Sequence, residues 1–409
     1  MKIQKILLLF SLMVLTSSFT KKSAPKWQPD LLFGDTFYPS FAVANSTYKN
    51  IVDELQLQSN TNDPHGQIGV QVMPSTQKYI LKIKIVCDEI MFPTEASINV
   101  SEKNKNFTFY PKIDYKWNAL RKISQTRPAN IKITTWINGK LQDTKMKTIT
   151  LQSINNCPYT CISKENKIVD LNYMYAAYVN EDHPMIDNVL LKEMLSQGAI
   201  KQITAYQTGR SSEVMKQVFA VWNMLQKRGI SYSSLSSSGN KDKSFLPIVY
   251  HQYVRTLDDA MNGQQANCVD GTVLMASILY RMGIEPYIVT TPSHCFLGYH
   301  VGPDEDFFLE TTMLGAEPSA ENIAAVKNYP YYDAALGAQF GKAYDSFIIA
   351  TAVGNMTYKK DEDKFNNYTI IAGLSFVTED NRDELVGNLQ YQLYPVKMYK
   401  QRGIQAIFK

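Results

Sequence analysis

Apolar and polar positions alternate along the first part of the chain. Residues 68–72, 79–86, 106–110, 130–137 and 146–151 carry stretches of period-two patterning, the mark of strands with one buried face. Asn138-Gly139 follows the Trp136 run and predicts a tight hairpin turn. From about residue 171 the spacing changes to three and four. Residues 186–199 and 212–228 carry helical stripes; in the second, Val214, Val218, Val221 and Leu225 share a face that Trp222 joins as core. Ser211 or Ser212 caps that helix and Gly229 stops it. Residues 231–243 are rich in Ser, Gly, Asn, Asp and Lys, which predicts a loop with the makings of a lid. Residues 317–339 are Ala-rich and read as helical, while 347–353, 368–374 and 390–395 read as late strands. The whole is an α+β pattern.

The sharpest local prediction is a helix that begins at Cys268. Val269, Val273, Ala276 and Leu279 form one buried stripe. Asn267 is a good N-cap, Asp270 falls in the first turn, Arg281 in the last, and Gly283 suits the C′ position. Three strands follow at 285–289, 294–299 and 307–311, with turns at 290–293 and 302–306.

This pattern sets Cys268 in the first turn of a buried helix, where free N–H groups and the helix dipole favour a thiolate. The dipole contributes roughly 0.3–1 kcal/mol, so activation needs a partner. His294 opens the second strand and Glu310 ends the third, and antiparallel pairing brings them to one face. Nucleophile, base and orienting acid then stand in order: Cys268, His294, Glu310. The Cys268 N–H is the expected backbone donor to an oxyanion, and Gln264, Gln265 and Gln252 are side-chain candidates. His65, His183, His251 and His300 show no metal-ligand spacing, and neither a metal nor another cofactor is expected.

Three motifs carry a resemblance. Asn267-Cys268-Val269-Asp270-Gly271-Thr272 runs into a helix with an Arg281-Met282-Gly283-Ile284-Glu285-Pro286 exit; Ser293-His294-Cys295-Phe296-Leu297-Gly298-Tyr299 is a histidine strand; Phe307-Phe308-Leu309-Glu310-Thr311-Thr312 is an acid strand. Together they resemble the core of the transglutaminase-like superfamily, which shares catalytic geometry with papain. The resemblance implies a papain-like catalytic domain over residues 161–409, with Cys268 as nucleophile, His294 as base and acid, and Glu310 as orienter. Asp is commoner at the third position, and Phe296 stands where Trp often follows the histidine. The implied reaction is acyl transfer through an acyl-enzyme, with hydrolysis of a peptide, protein or cell-wall amide first. A lysine-accepting crosslinking transglutaminase and a non-catalytic binding protein on the same fold are the alternatives.

Ahead of that domain, residues 21–160 are expected to form an immunoglobulin-like sandwich, as a spacer or a partner-binding module. Each segment has its own burial pattern, so a chain begun near Cys161 is expected to fold alone. Residues 1–20 read as a signal peptide: Lys2 and Lys5 precede an apolar stretch over 6–15, with Thr16, Ser17 and Ser18 for cleavage. The protein is therefore expected in the periplasm or outside the cell, with no integral span. At 409 residues the chain is long enough for two or three cores, and its formal charge of +4 includes both leader lysines. No basic patch or nucleic-acid motif is present. Export makes the odd count of five cysteines informative, because at least one thiol stays free. Cys157 is open to pairing with Cys161, or either of them with Cys87; Cys295, beside His294, reads as packing.

Overall fold

In a computed structural model the described residues are 24–48, 66–101, 103–234, 246–303, 305–366 and 377–408. The predicted leader at 1–20, His65, most of the 231–243 loop and the predicted strand at 368–374 lie outside them. The chain is α+β. Its first strands are β1 (Trp27–Leu31), β2 (Thr36–Phe37), β3 (Ile68–Val72), β4 (Tyr79–Val86), β5 (Thr94–Val100), β6 (Phe107–Phe109), β7 (Arg127–Ile137) and β8 (Lys140–Leu151). They form an antiparallel sheet in the order β1-β3-β6 and a second in the order β2-β8-β7-β4-β5, where only β2–β8 is parallel. Alternation carried the strands that bury one face: Leu81, Ile83 and Ile85 of β4 and Ile131, Ile133 and Ile137 of β7 point inward. β5 is an edge strand buried only at its two ends, so its pattern is faint. Asn138 and Gly139 both take positive φ, 48° and 76°, as a primed hairpin turn requires.

β9 (Asn156–Ile162) is the middle of the next sheet, flanked by β10 (Ile168–Asp170) and by β12 (Ile248–Tyr253); between them in sequence comes β11 (Ser231–Tyr232), which pairs in parallel with β13 (Gln265–Ala266). The boundary expected between 160 and 161 falls inside β9, whose residues from Asn156 onward pair with β12. Ser40 Oγ donates to the Asn156 carbonyl at 2.6 Å, and Gln405 N–H donates to the Ala44 carbonyl at 2.9 Å. One apolar cluster includes Leu81, Cys157, Val273, Leu297 and Ile407, so the two halves share a core. All five cysteines are free thiols. Cys157 and Cys161 sit four residues apart on β9, about 13 Å of extended chain, too far to bridge.

The remaining strands are β14 (Pro286–Thr291), β15 (His294–Gly302), β16 (Glu305–Leu309) and β17 (Gln392–Pro395), in the antiparallel order β16-β15-β14-β17. The Cys268–Arg281 helix packs on the face carrying Cys295, Leu297, Tyr299 and Val301. Val289, Phe296, Phe308 and Phe365 fill the other face. The helix Ser211–Lys227 matches its prediction, with Trp222 fully buried and its indole N–H on Ser346 Oγ at 3.2 Å.

Three expectations need correction. Residues 347–353 are helix, not strand: they lie within the helix Lys342–Lys360. Residues 344–351 are all buried, and the apolar run 347–350 within them shows no stripe. This helix lies along the open edge of β16. Ala350 carbonyl accepts from Glu310 N–H at 3.0 Å and Asn355 Oδ1 from Phe308 N–H at 2.9 Å. Second, the turn at 290–293 contracts to Pro292-Ser293, since Thr291 pairs with His294. Third, 317–339 holds two short helices, Ala320–Val326 and Ala334–Phe340, separated by a stretch containing Pro330, which cannot donate to a helix. Among the described residues no helix is long and apolar enough to cross a membrane.

Candidate active site

The Cys268 helix is fixed at both ends. Asn267 is an extended N-cap in a capping box: Asp270 N–H donates to Asn267 Oδ1 at 2.9 Å and Asn267 N–H to Asp270 Oδ2 at 3.0 Å. At the exit, Gly283 N–H bonds the Tyr280 carbonyl and Ile284 N–H the Leu279 carbonyl, a Schellman closure with Gly283 at φ 83°. The Asp270 carboxylate is fully buried and also accepts from the Arg255 backbone at 2.7 Å and its guanidinium at 2.5 Å. The end of β12 is thus tied to the helix start. Cys268 itself is half-buried at the first helical position.

His294 opens β15 directly after the two-residue turn, where Ser293 takes φ 65°. Leu297 pairs with Leu309, and continuing that register sets Glu310 opposite Phe296. His294 is therefore a diagonal neighbour of Glu310 on the same face, two residues along. A diagonal needs reach, which the extra methylene of Glu over Asp supplies. Glu310 Oε2 meets His294 Nε2 at 2.7 Å, while Glu310 Oε1 accepts from Thr312 N–H at 3.1 Å and from its hydroxyl at 2.5 Å. Nε2 being taken, Nδ1 is the ring nitrogen left for the thiol.

The electrostatics follow from this placement. Interaction with Cys268, then with Glu310, raises the His294 imidazole to about 10, against the downward pull of burial. Burial pushes the Glu310 carboxyl up, but His294 and Thr312 together bring it below its ordinary value. Both shifts have one shared cause, the contact between the imidazole and the Glu310 carboxylate.

The acid-bearing turn is docked on the helix by a close approach. A Cβ on Gly271 would lie 3.2 Å from Thr311 Cβ. Thr272 Oγ1 donates to the Cys268 carbonyl at 2.7 Å and lies 3.2 Å from Thr311 Oγ1. Glycine inside a helix costs roughly 1 kcal/mol relative to Ala, and here the space it leaves admits Thr311.

The structure thus brings Cys268, His294 and Glu310 together. The other histidines among the described residues serve elsewhere: His183 on Asp258 at 3.3 Å, His251 on Tyr38 at 3.0 Å, His300 on Asp306 at 2.5 Å. Gln264 is turned away, its amide on the Arg228 carbonyl at 2.7 Å; Gln252 donates to the Tyr253 carbonyl at 3.1 Å; Gln265 is exposed on β13. Cys295 is buried on the opposite strand parity from His294, as packing requires. Sequence reasoning missed Arg255 and Thr312. Thr312 had a signal, since a hydroxyl two residues past a buried carboxylate is a natural local donor; Arg255 had none. No family model, curated protein or solved structure matches the chain.

Proposed function

We propose that this protein is an exported thiol enzyme of the transglutaminase-like class, with a papain-like catalytic core behind an immunoglobulin-like sandwich. It transfers acyl groups through Cys268 and hydrolyses an amide or peptide bond. The observation that carries this reading is the His294 imidazole, hydrogen-bonded to Glu310 at 2.7 Å and interacting with a cysteine at a helix start.

In this reading His294 holds the proton of Cys268, leaving a thiolate paired with imidazolium. The thiolate attacks the amide carbonyl carbon and the π electrons move to oxygen. As the intermediate collapses, His294 gives its proton to the departing amine. His294 then takes a proton from water, which attacks the thioester and frees the acid. Glu310 keeps the ring oriented, and Thr312 keeps Glu310 oriented. Water is taken as the acceptor because it is plentiful and no feature of the described residues marks an amine site. The test is incubation with an electrophilic thiol probe and, separately, with a reporter peptide amide plus a fluorescent primary amine. Modification mapped to Cys268 with release of free acid supports the reading. Amine incorporation favours the crosslinking alternative, and an unmodified Cys268 refutes catalysis.

A further inference from the structure

Away from the triad, aromatic side chains gather where the helices Ser211–Lys227 and Lys342–Lys360 meet the segment 330–336. They do not close into core there. They surround a cavity of about 350 Å³, a size within the range of small-molecule sites. Tyr331, Tyr332, Tyr344 and Phe347 form its aromatic walls, and Ser212, Lys216 and Asp333 bring polar groups to it. None of Cys268, His294 and Glu310 lines it.

Each tyrosine is pinned through its hydroxyl. Tyr331 donates to Glu305 Oε1 at 3.2 Å, Tyr332 donates to Asp345 Oδ1 at 2.9 Å, and Tyr344 accepts from Asp333 N–H at 3.0 Å. Glu305 is held in turn by Ser211 Oγ, which donates to Oε2 at 2.7 Å. Tyr331 meets Phe307 edge to face, with centroids 4.7 Å apart, yet stays 44% exposed. A Cβ on Gly337 would overlap the Tyr332 hydroxyl oxygen, so the bare backbone there admits that side chain. Rings fixed in advance lose little further freedom when a ligand settles against them.

Charge decides the class of ligand. Lys216 Nζ lies 3.4 Å from Glu213 Oε1 and 3.5 Å from Asp333 Oδ2. Aromatic walls beside a carboxylate suit a cation, but the Lys216 ammonium repels one. The two carboxylates repel an anion. An uncharged ligand meets neither penalty. It needs a flat C–H face for the rings and hydroxyls that accept from Lys216 and donate to Asp333. A pyranose ring has both.

We infer that this cavity is a sugar-binding subsite, with Tyr331 as the stacking platform and Lys216 and Asp333 as hydroxyl partners. The inference is independent of the acyl-transfer reading, since it uses no member of the triad.

The test is saturation-transfer NMR on the full chain, titrated separately with methyl β-glucoside, methyl β-galactoside and methyl N-acetyl-β-glucosaminide. Tetramethylammonium and benzoate serve as cationic and anionic probes of the same cavity. At least one sugar should receive saturation, strongest at the ring C–H protons. Tyr331→Ala should weaken that binding roughly tenfold, the scale of one lost aromatic contact, with the wild-type melting midpoint kept. Should Tyr331→Ala fail to fold, Tyr331→Leu, which keeps an apolar side chain without a flat ring, is read the same way. Binding of no sugar overturns the inference, as does sugar binding that is equal in the folded variant and wild type. Tetramethylammonium or benzoate bound in place of every sugar overturns it too.

Discussion

The five-stranded sheet and the four-stranded sheet put charge to opposite uses. In the first, one face is buried and the other solvated. Its ionic groups pair in water: Glu95 of β5 meets Lys82 and Lys84 of β4, each at 2.9 Å, and all three are more than 40% exposed. Those two lysines lower the Glu95 carboxyl to about 2 at the open surface, where ion pairs contribute little. The four-stranded sheet is covered on both faces, and its ionic pair of His294 and Glu310 sits at the covered end, with Glu310 6% exposed. A proton held there is held by fixed partners rather than by solvent. Alternation with one wet face makes a scaffold, whereas a doubly covered sheet makes a place where a proton can be positioned.

The comparison breaks most completely if the two regions are separated. A chain begun at Cys161 loses Asn156–Thr160 of β9, the partners of Tyr250, Gln252 and Tyr253 in β12. It also loses Ser40 and Tyr38, which bond to Asn156 and His251. Against the expectation from the sequence alone, that such a chain folds by itself, the shared core and the β9–β12 pairing lead us to expect the truncated chain to melt without cooperativity, measured by circular dichroism against the full chain. A sharp melting transition in the truncated chain would show that β12 needs no partner from the first region.

A smaller break targets the edge of the four-stranded sheet. A Cβ on Gly354 would lie 2.5 Å from the Phe308 carbonyl oxygen, so Gly354→Ala must push the covering helix away from β16. Overpacking of this kind costs about 1–3 kcal/mol, against which Ala regains roughly 1 kcal/mol of helix propensity. Urea denaturation should show a net loss, together with slower labelling of Cys268, because Glu310 N–H is bonded to the same helix through Ala350. Stabilisation by Gly354→Ala would refute the close approach.

The pH dependence sharpens the contrast further. His294 is raised from its ordinary value of about 6.5 to about 10 in the folded protein. The folded state therefore gains stability that is complete below about 6.5 and disappears as pH climbs through about 10. Glu310, lowered, contributes stability present above its ordinary value of about 4.3 and lost as pH falls through its folded value. His294→Ala should flatten the change in melting midpoint between pH 6.5 and 10. Glu95→Ala, its surface counterpart, should leave the midpoint at neutral pH unmoved. An identical alkaline profile in wild type and His294→Ala would place the titration elsewhere.

How far the sequence exposes these parts depends on how local each one is. Cys268 declares its helix because Asn267, Asp270 and Gly283 mark both ends within the segment itself. β7 and β8 declare their hairpin through Asn138-Gly139 and one dry face. Tertiary covering erases such signals. Phe347, Ile348 and Ile349 are buried in a helix with no wet side nearby, so their run is indistinguishable from a buried strand. The capping Asp270 was legible, yet its partner Arg255 was not, because that pairing depends on where β12 ends in space. The diagonal of His294 and Glu310 was legible only as a shared face; the register that makes it a diagonal belongs to the β15–β16 pairing.

The central claim is that His294 activates Cys268. Its most direct test is the rate of iodoacetamide alkylation of Cys268 against pH, in wild type and in His294→Ala, with the site mapped by mass spectrometry. Wild type is expected to alkylate rapidly near pH 6, where a free thiol of pKa about 8.5 is nearly inert, and the variant to react only as the pH approaches that value. Superimposable profiles for the two proteins would contradict it.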